Sequence, residues 1–383
     1  MTGAVTPRRI DALDRLRGLI MVLMAVDHAS FFIARVHPSE SWAFGPPYYA
    51  SAIAFVTRWI THLCAPGFFL LMGAGMALFA ASRRQAGWSR RRVTRLLVTR
   101  GAILIVIQQL IENPAWLLGI LSATPDLLPL APFPGEDPDA LAMPLLVLTA
   151  LGVSMMVWGV LIEAPNPVVV AVCIAASGAS MLLTPGPEHA ADVYSIPMRI
   201  LFVPGQTTPV SVLYPLIPWL TPAGLGVLLG RMVAPRSSFV ERRVALIGGF
   251  LIAAFVVLRT AGLGEYHAAR PGLIGFLTVT KYPPSLDFLA VMLGMDLVLL
   301  GLFTRPMPGW LAGPLQVFGQ VPLFFYLLHL YVFGVLSWLF RSGTSFAVMY
   351  LIWLAALAVM YPACRWYARF KARRPIASIW RLL

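Results

Sequence analysis

Charged residues are scarce in this chain: Asp, Glu, Lys and Arg make up only 12% of its 383 residues, whereas 59% are hydrophobic. This scarcity excludes an ordinary soluble domain, in which about 25% of residues are charged. The mean hydropathy of +0.79 indicates a membrane protein with many apolar segments. We therefore expect an all-α polytopic membrane protein.

Cysteine and metal-binding motifs are also lacking. The chain has only 3 Cys, which lie in or at the ends of apolar segments and do not form the spacing of a disulfide framework. No HxH, HxxxH or CxxC pattern occurs, so no metal site is predicted. The first apolar segment is too long for a signal peptide and lacks a small-residue cleavage pattern, so we expect it to remain as the first span.

About ten apolar segments are predicted to cross the membrane, each near the ~20 residues that a spanning helix needs. A further apolar stretch at 114–121 leaves an eleventh crossing open. We expect residues 1–383 to form one membrane domain with a basic cytoplasmic tail at about 365–383. The predicted spans are 13–34, 59–81, 96–112, 141–163, 167–184, 212–232, 244–261, 285–304, 314–340 and 345–364.

Basic residues concentrate between or after alternate apolar segments. Arginines cluster within residues 83–95, 231–243 and 364–374. Because cytoplasmic loops of membrane proteins are enriched in Lys and Arg, these clusters and both chain termini are predicted to be cytoplasmic. The same asymmetry accounts for the net charge of +13 without a nucleic-acid partner. The bilayer is the expected environment, and homodimer formation stays open.

Ionisable residues lie at one depth inside several predicted spans. Asp14 and Arg17 are near the start of the first span, and Asp27 and His28 lie roughly 20 Å further along its axis. Ionisable groups in hydrocarbon are costly unless they are paired, so they mark functional sites. Successive spans cross the membrane in opposite directions, so residues in or next to three further spans are expected at the level of His28. These residues are Arg58, His62, Lys281, Tyr282, Ser285, Asp287 and His329.

The residue types suit proton transfer. A histidine that titrates near neutral pH can take a proton from a hydroxyl or an amine, with a carboxylate to orient it. Adjacent helix residues point about 100° apart, so Asp27 is expected to meet Arg58, Lys281 or a histidine of another helix rather than His28. For each buried histidine, a hydrogen bond to a backbone carbonyl is the plain alternative.

Four stretches of the chain resemble a bacterial membrane family related to the catalytic region of heparan-α-glucosaminide N-acetyltransferase. They are RIDALDRLRGLIMVLMAVDH (9–28), RWITHLCAPGFFLLMGAG (58–75), TVTKYPPSLDFLAVMLG (278–294) and FGQVPLFFYLLHLY (318–331). The resemblance implies a transmembrane acyltransferase of the bacterial inner membrane. Acetyl-CoA would bind from the cytoplasm, and the acetyl group would pass to a sugar amine or hydroxyl on the outer side.

The resemblance also bears on individual residues. The lysosomal relatives carry Asn where this chain has His28 and an acidic residue near the position of His62. Their reactive histidine lies in the loop between the first two catalytic spans, where His37 is the one histidine here, in different surroundings. The predicted catalytic residues are His28, His62, Asp27, Lys281 and His329. The predicted donor-binding residues are Arg17, Asp14, Arg58, Tyr282 and Ser285.

Two mechanisms and two other functions stay open. A histidine could act as general base, or it could carry the acyl group as an intermediate. Buried His, Asp and Lys on separate helices are also typical of a proton-coupled transporter or exporter of a small anion or sugar conjugate. A membrane scaffold without catalysis is the third class.

Overall fold

Helices dominate the computed structural model, which describes residues 10–124, 142–192, 194–234, 238–375, 378 and 380. Within these residues, 7 helical segments are long and apolar enough to cross a membrane. Three of the predicted spans are occupied by shorter apolar helices instead: α6 (Val147–Val160), α9 (Leu220–Val233) and α12 (Leu286–Leu302). The all-α polytopic prediction is confirmed, since every predicted span falls on a helix.

The first span lies at the centre of the bundle. Helix α1 (Asp11–Ala29) carries an uninterrupted apolar run from Gly18 to Val26 and is buried over most of its circumference. It continues into a π-helical turn at Ser30–Ala34, which ends at Arg35 in the left-handed conformation (φ 56°). Most residues of α1 are buried by neighbouring helices, which places it at the centre of the bundle.

The second span is interrupted where the sequence predicted a continuous helix. Helix α2 (Ala52–Thr61) begins with a side-chain cap from Ser51, and α3 (Cys64–Gln85) follows after a break at His62 and Leu63. Pro66 explains the break, because its ring would clash with the carbonyl four residues earlier, that of His62, in a continuous helix. The interruption places a polar side chain and irregular backbone within the span.

The third span includes the apolar stretch at 114–121, the candidate for an eleventh crossing. Helix α4 (Arg90–Ile107) runs through a π-helical turn at Gln108–Glu112 directly into α5 (Asn113–Ile120). Pro114 lies shortly after the π-helical turn; because it has no N–H, it cannot complete the helical hydrogen bond to the preceding turn, and the helix geometry is irregular at this point. Residues 114–121 therefore extend the third span.

The remaining elements complete the bundle. The helices are α7 (Asn166–Leu183), α8 (Ile196–Leu201), α10 (Ser238–Thr260), α11 (Gly272–Leu277), α13 (Gly309–Gln320), α14 (Pro322–Leu336) and α15 (Phe346–Ala372). The ninth predicted span thus divides at Val321 into α13 and α14. A small sheet, absent from the prediction, joins β1 (Met143–Leu145) in parallel to β3 (Val210–Val212), which pairs antiparallel with β2 (Gly205–Thr207).

Glycines bring helix backbones into direct contact. Gly18 of α1 faces the Leu315 carbonyl of α13, and Gly319 of α13 faces the Asp14 carbonyl of α1. Small residues permit this close approach, which is the usual basis of helix association in membranes. The pair fixes α1 against α13 on the side where the predicted cytoplasmic ends lie.

We expect Gly18→Ala to destabilise the protein by roughly 1–3 kcal/mol, because the added methyl group would overlap the Leu315 backbone. Gly75→Ala in α3 is the matched control, since a methyl group there meets nothing within 4 Å. Thermal unfolding of both variants in detergent measures the difference. Equal melting temperatures would contradict the proposed α1–α13 contact.

Candidate active site

Arg58 lies between two buried carboxylates. Its Nη1 donates to Asp27 Oδ1 of α1 at 2.6 Å, and its Nη2 donates to Glu40 Oε2 at 2.6 Å. Thr61 Oγ1 also donates to Asp27 Oδ1, at 2.7 Å. The relative exposure of all three charged residues is 7% or less. Of the partners expected for Asp27, which were Arg58, Lys281 or a histidine of another helix, the structure pairs it with Arg58. The network joins α1, α2 and the loop between them.

Glu40 reaches this position because two loops are joined through their backbones. The Glu40 carbonyl accepts from the backbone N–H of Lys281 at 2.9 Å, and the Trp42 N–H donates to the Tyr282 carbonyl at 2.9 Å. Tyr49 Oη donates to Glu40 Oε1 at 3.0 Å. Burial would raise the pKa of Glu40, but the charge of Arg58 holds it well below its usual range.

His62 occupies the break between α2 and α3. Its Nε2 lies 3.2 Å from Glu40 Oε2, without the alignment of a hydrogen bond. Neither ring nitrogen has an aligned partner among the residues that the structure describes, although the residue is only 1% exposed. The histidine can therefore bind Glu40 after a small rotation of its ring.

His28 and His329 form a hydrogen-bonded pair. His28 Nδ1 lies 2.6 Å from His329 Nε2, and His329 Nδ1 lies 3.0 Å from the Phe325 carbonyl. Because a carbonyl only accepts, His329 Nδ1 carries the proton when that imidazole is neutral, and its Nε2 accepts from His28 Nδ1–H. The free lone pair of neutral His28 is then on Nε2, which is the position that a general base requires.

Lys281 and two tyrosines lie beside these groups. Lys281 is 3% exposed, with Nζ 5.0 Å from the centroid of the Tyr282 ring. Its charge acts electrostatically on Asp27 and His28. The hydroxyl groups of Tyr282 and Tyr214 are 3.4 Å apart. Lys281 therefore lies near enough to Asp27 and His28 for its charge to act on both.

His37 belongs to this region as well. Its Nδ1 lies 3.4 Å from Ser30 Oγ, and its ring contacts Phe31 edge to face at 5.5 Å between centroids. The nearby groups Asp27, Glu40 and Arg58 act on its charge. Burial, followed by the charge of Arg58, lowers the pKa of His37 to about 4.

The remaining predicted residues have visible structural contacts. Ser285 caps α12 by accepting from the Phe288 N–H at 3.0 Å, and it donates to Glu265 Oε2 at 3.0 Å. Arg17 Nη1 donates to Asp14 Oδ1 at 2.9 Å and to the Gly319 carbonyl at 3.2 Å. Asp14 and Arg17 therefore lie at the far end of α1, roughly 20 Å along its axis from Asp27.

Sequence reasoning did not assign Glu40, Tyr49 or His37 to the site, although it named His37 as the one histidine of this loop. All three lie in the loop after the first span, where polar residues ordinarily face water. The signal was the unpaired arginine: Arg58 carries a charge inside a span, and Asp27 alone leaves part of its guanidinium without a partner. A second carboxylate from an adjacent loop satisfies this requirement.

The arrangement is suited to take a proton from a nucleophile that attacks the carbonyl group of a substrate. His28 Nε2 supplies a neutral base, and Lys281 supplies a buried positive charge that can stabilise an oxyanion. Within the described residues, no group of three His, Cys, Asp or Glu side chains is placed to hold a metal ion. Exposed arginines such as Arg84, near the end of α3, and Arg90, at the start of α4, are suited to bind phosphates.

A comparison with protein-family models gives one match. The model described as "Heparan-alpha-glucosaminide N-acetyltransferase, catalytic" matches residues 9–263. The matched region contains α1 through α10 and includes Asp27, His28, Glu40, Arg58 and His62. A search of curated proteins finds no match.

Replacing Arg58 tests whether its charge holds the site together. We expect Arg58→Ala to lower stability by roughly 3–5 kcal/mol, because it leaves two buried carboxylates without their positively charged partner. Arg84→Ala is the control, since Arg84 pairs with Glu163 at the exposed surface and such pairs contribute about 0–1 kcal/mol. Thermal unfolding measures both. A folded Arg58→Ala protein with unchanged melting temperature would contradict the network.

The pKa of His37 predicts a pH dependence of stability. Because its folded pKa is about 4 and its ordinary value is 6.5, the unfolded chain binds more protons between these values. Its contribution to stability is thus complete above pH 6.5 and is lost as the pH falls to about 4. We expect His37→Gln to reduce the loss of melting temperature over that interval, and His189→Gln, in an exposed loop, to leave it unchanged. Parallel curves for wild type and His37→Gln would show that His37 is not shielded from protonation.

Proposed function

Because the chain belongs to the heparan-alpha-glucosaminide N-acetyltransferase catalytic family, we propose that it transfers an acetyl group from acetyl-CoA to a sugar amine or hydroxyl across the membrane. The observation that carries the proposal is the hydrogen-bonded chain from the Phe325 carbonyl through His329 to His28. This chain presents a base inside a membrane domain, beside the buried cation of Lys281.

The donor is proposed to bind from the end of the bundle where arginines cluster. The connection between α3 and α4 carries several exposed arginines, among them Arg84 and Arg90. Phosphates of CoA are suited to such groups, since guanidinium binds phosphate with two parallel hydrogen bonds. Under the positive-inside rule this end is cytoplasmic, which places both termini there and suits the inner membrane of a bacterium.

Asp14 and Arg17 are proposed to guide the donor rather than to take part in chemistry. Arg17 uses Nη1 for Asp14 and the Gly319 carbonyl, which keeps the guanidinium fixed at the start of α1. The acyl-pantetheine arm must then extend along α1, over roughly 20 Å, to bring the thioester to His28. Tyr282 is proposed to line the end of that path.

In the proposed transfer, His28 Nε2 accepts a proton from the acceptor amine or hydroxyl as that atom attacks the thioester carbonyl carbon. The positive charge of Lys281 stabilises the oxyanion of the tetrahedral intermediate. The carbon–sulfur bond then breaks, and the departing CoA thiolate takes the proton from His28. His329 keeps the base oriented through His28 Nδ1, and Asp27 and Arg58 keep α1 and α2 in register.

A two-step route uses the same atoms. His28 Nε2 would attack the thioester, release CoA and hold the acyl group, and its Nδ1 proton would pass toward His329 Nε2. The acceptor would then attack the acyl-imidazole carbon, the carbon–nitrogen bond to His28 would break, and His28 Nδ1 would regain its proton from His329. The proton that the acceptor releases to water is balanced by the one that the departed CoA thiolate takes up from water. His62 lies with Nε2 3.2 Å from Glu40 Oε2 and is proposed to support the Arg58–Glu40 network rather than to carry the acyl group.

Substitution of the histidines tests the proposal. We expect His28→Ala to lower acetyl transfer by about 10²–10⁴-fold, because the base is removed, while acetyl-CoA binding persists. His329→Ala should have a smaller effect, since it removes only the orienting hydrogen bond. Transfer of radiolabelled acetyl groups to methyl β-D-glucosaminide, with calorimetry of acetyl-CoA binding, measures both quantities in the purified protein.

The exposed histidine variant His189→Ala is the control and should retain full activity. Full transfer by His28→Ala would remove His28 from the chemistry. A wild-type protein that binds no acetyl-CoA would contradict the proposed function itself, and proton-driven uptake of a sugar conjugate would then support the transporter class.

A further inference from the structure

A second hydrogen-bonded pair lies next to the two histidines. Tyr326 Oη donates to Glu112 Oε1, which joins α14 to the π-helical turn of the third span. Tyr326 and His329 are one helical turn apart on α14, and the ring of Tyr326 lies 6.3 Å from that of His28. The proposed mechanism uses neither Tyr326 nor Glu112.

The π-helical turn explains how Glu112 comes to face inward. Gln108 and Glu112, at its two ends, are both completely buried, while Gln109 to Ile111 between them are largely turned outward. A single π turn shifts the register of side chains within a helix and occurs frequently at functional sites. Trp116, one turn further on, packs its ring 5.0 Å from that of His28.

Two buried polar atoms at this place lack an aligned hydrogen bond. Glu112 Oε2 and Trp116 Nε1 are buried, and neither has an aligned hydrogen-bond partner in the part of the chain that the structure describes. The indole N–H of Trp116 and the backbone N–H of Leu148, in the first turn of α6, both lie within hydrogen-bonding range of the Glu112 carboxyl group, but neither forms an aligned hydrogen bond with Oε2. One group accepts hydrogen bonds, and the other donates.

The complementary group is a hydroxyl. A hydroxyl can donate to Glu112 Oε2 and accept from Trp116 Nε1 at once, whereas an ammonium group can only donate. The surrounding rings of Trp116, Tyr326 and Phe32 supply the apolar walls that are typical of a small-molecule site with a few convergent polar groups.

We propose that Glu112, Tyr326 and Trp116 form a subsite that binds a ring hydroxyl of the sugar acceptor beside His28. The subsite rests on the proposed function for its purpose, since it would hold the acceptor while His28 Nε2 takes the proton. Glu112 and Trp116 contact the acceptor directly, and Tyr326 is a positioning residue that holds the carboxylate. No covalent step takes place at Glu112.

Binding of methyl β-D-glucosaminide without acetyl-CoA tests the subsite, with the saturable rise in melting temperature as readout. We expect Glu112→Gln and Trp116→Phe each to weaken this binding by about tenfold or more, because each loses one hydrogen bond of the hydroxyl. Glu188→Gln, an exposed loop carboxylate, is the matched control and should bind as wild type does. Cyclohexylamine, a cationic ring without hydroxyls, should bind far more weakly than the glucosaminide.

Four results would overturn the proposal: no binding of the glucosaminide by wild type, equal binding of cyclohexylamine, unchanged affinity in both variants, or a parallel loss of acetyl-CoA binding. A lower melting temperature of Glu112→Gln with unchanged glycoside affinity would contradict the subsite, and it would mean that Glu112 only stabilises the first turn of α6 through the Leu148 N–H. Trp116→Phe keeps the test valid if Glu112→Gln does not fold. Glycoside binding without acetyl transfer would contradict the proposed function while the subsite stands.

Discussion

An ion inside a lipid bilayer requires a partner, because desolvation of an unpaired charge costs several kcal/mol. Arg58 meets this requirement for two carboxylates together: Asp27 from the first span and Glu40 from the following loop. The loop is then held by the second carboxylate over the end of the bundle, where its backbone pairs with residues 281 and 282. The positions of Lys281, His37 and His62 all depend on this arrangement.

The site has two separate parts: the ion-pair network around Arg58, and the His28–His329 pair that is proposed to carry out the chemistry. All three guanidinium nitrogens of Arg58 donate to carboxylates and so fix the geometry, whereas Nε2 of His28 has no hydrogen-bond partner among the described residues. The π-helical turn at Ser30–Ala34 directly follows His28, and the turn at Gln108–Glu112 faces it from the third span through Trp116. Irregular helix geometry is therefore concentrated where the acceptor is proposed to bind.

Much of the fold could be predicted, because a bilayer restricts spanning segments to apolar helices of known length. Depth along each helix follows from about 1.5 Å of rise per residue, so the sequence could place Asp27 at the level of Arg58 and Lys281 but could not choose between them. Depth carries no lateral information, so the direct contact of His28 with His329 needed the packed structure. Glu40 and the small sheet depend on loop conformation, for which the sequence has no periodic signal. The breaks at His62 and Val321 precede Pro66 and Pro322, and whether a proline interrupts a span depends on tertiary packing.

Transfer between two compartments tests the central claim most directly. Proteoliposomes containing the purified protein would receive radiolabelled acetyl-CoA outside, with methyl β-D-glucosaminide enclosed within. We predict that acetylated glucosaminide accumulates inside while free CoA appears outside, and that His28→Ala proteoliposomes form neither. Product that appears only when donor and acceptor share one compartment, or none in any arrangement despite intact protein, would contradict a transmembrane acyl transfer.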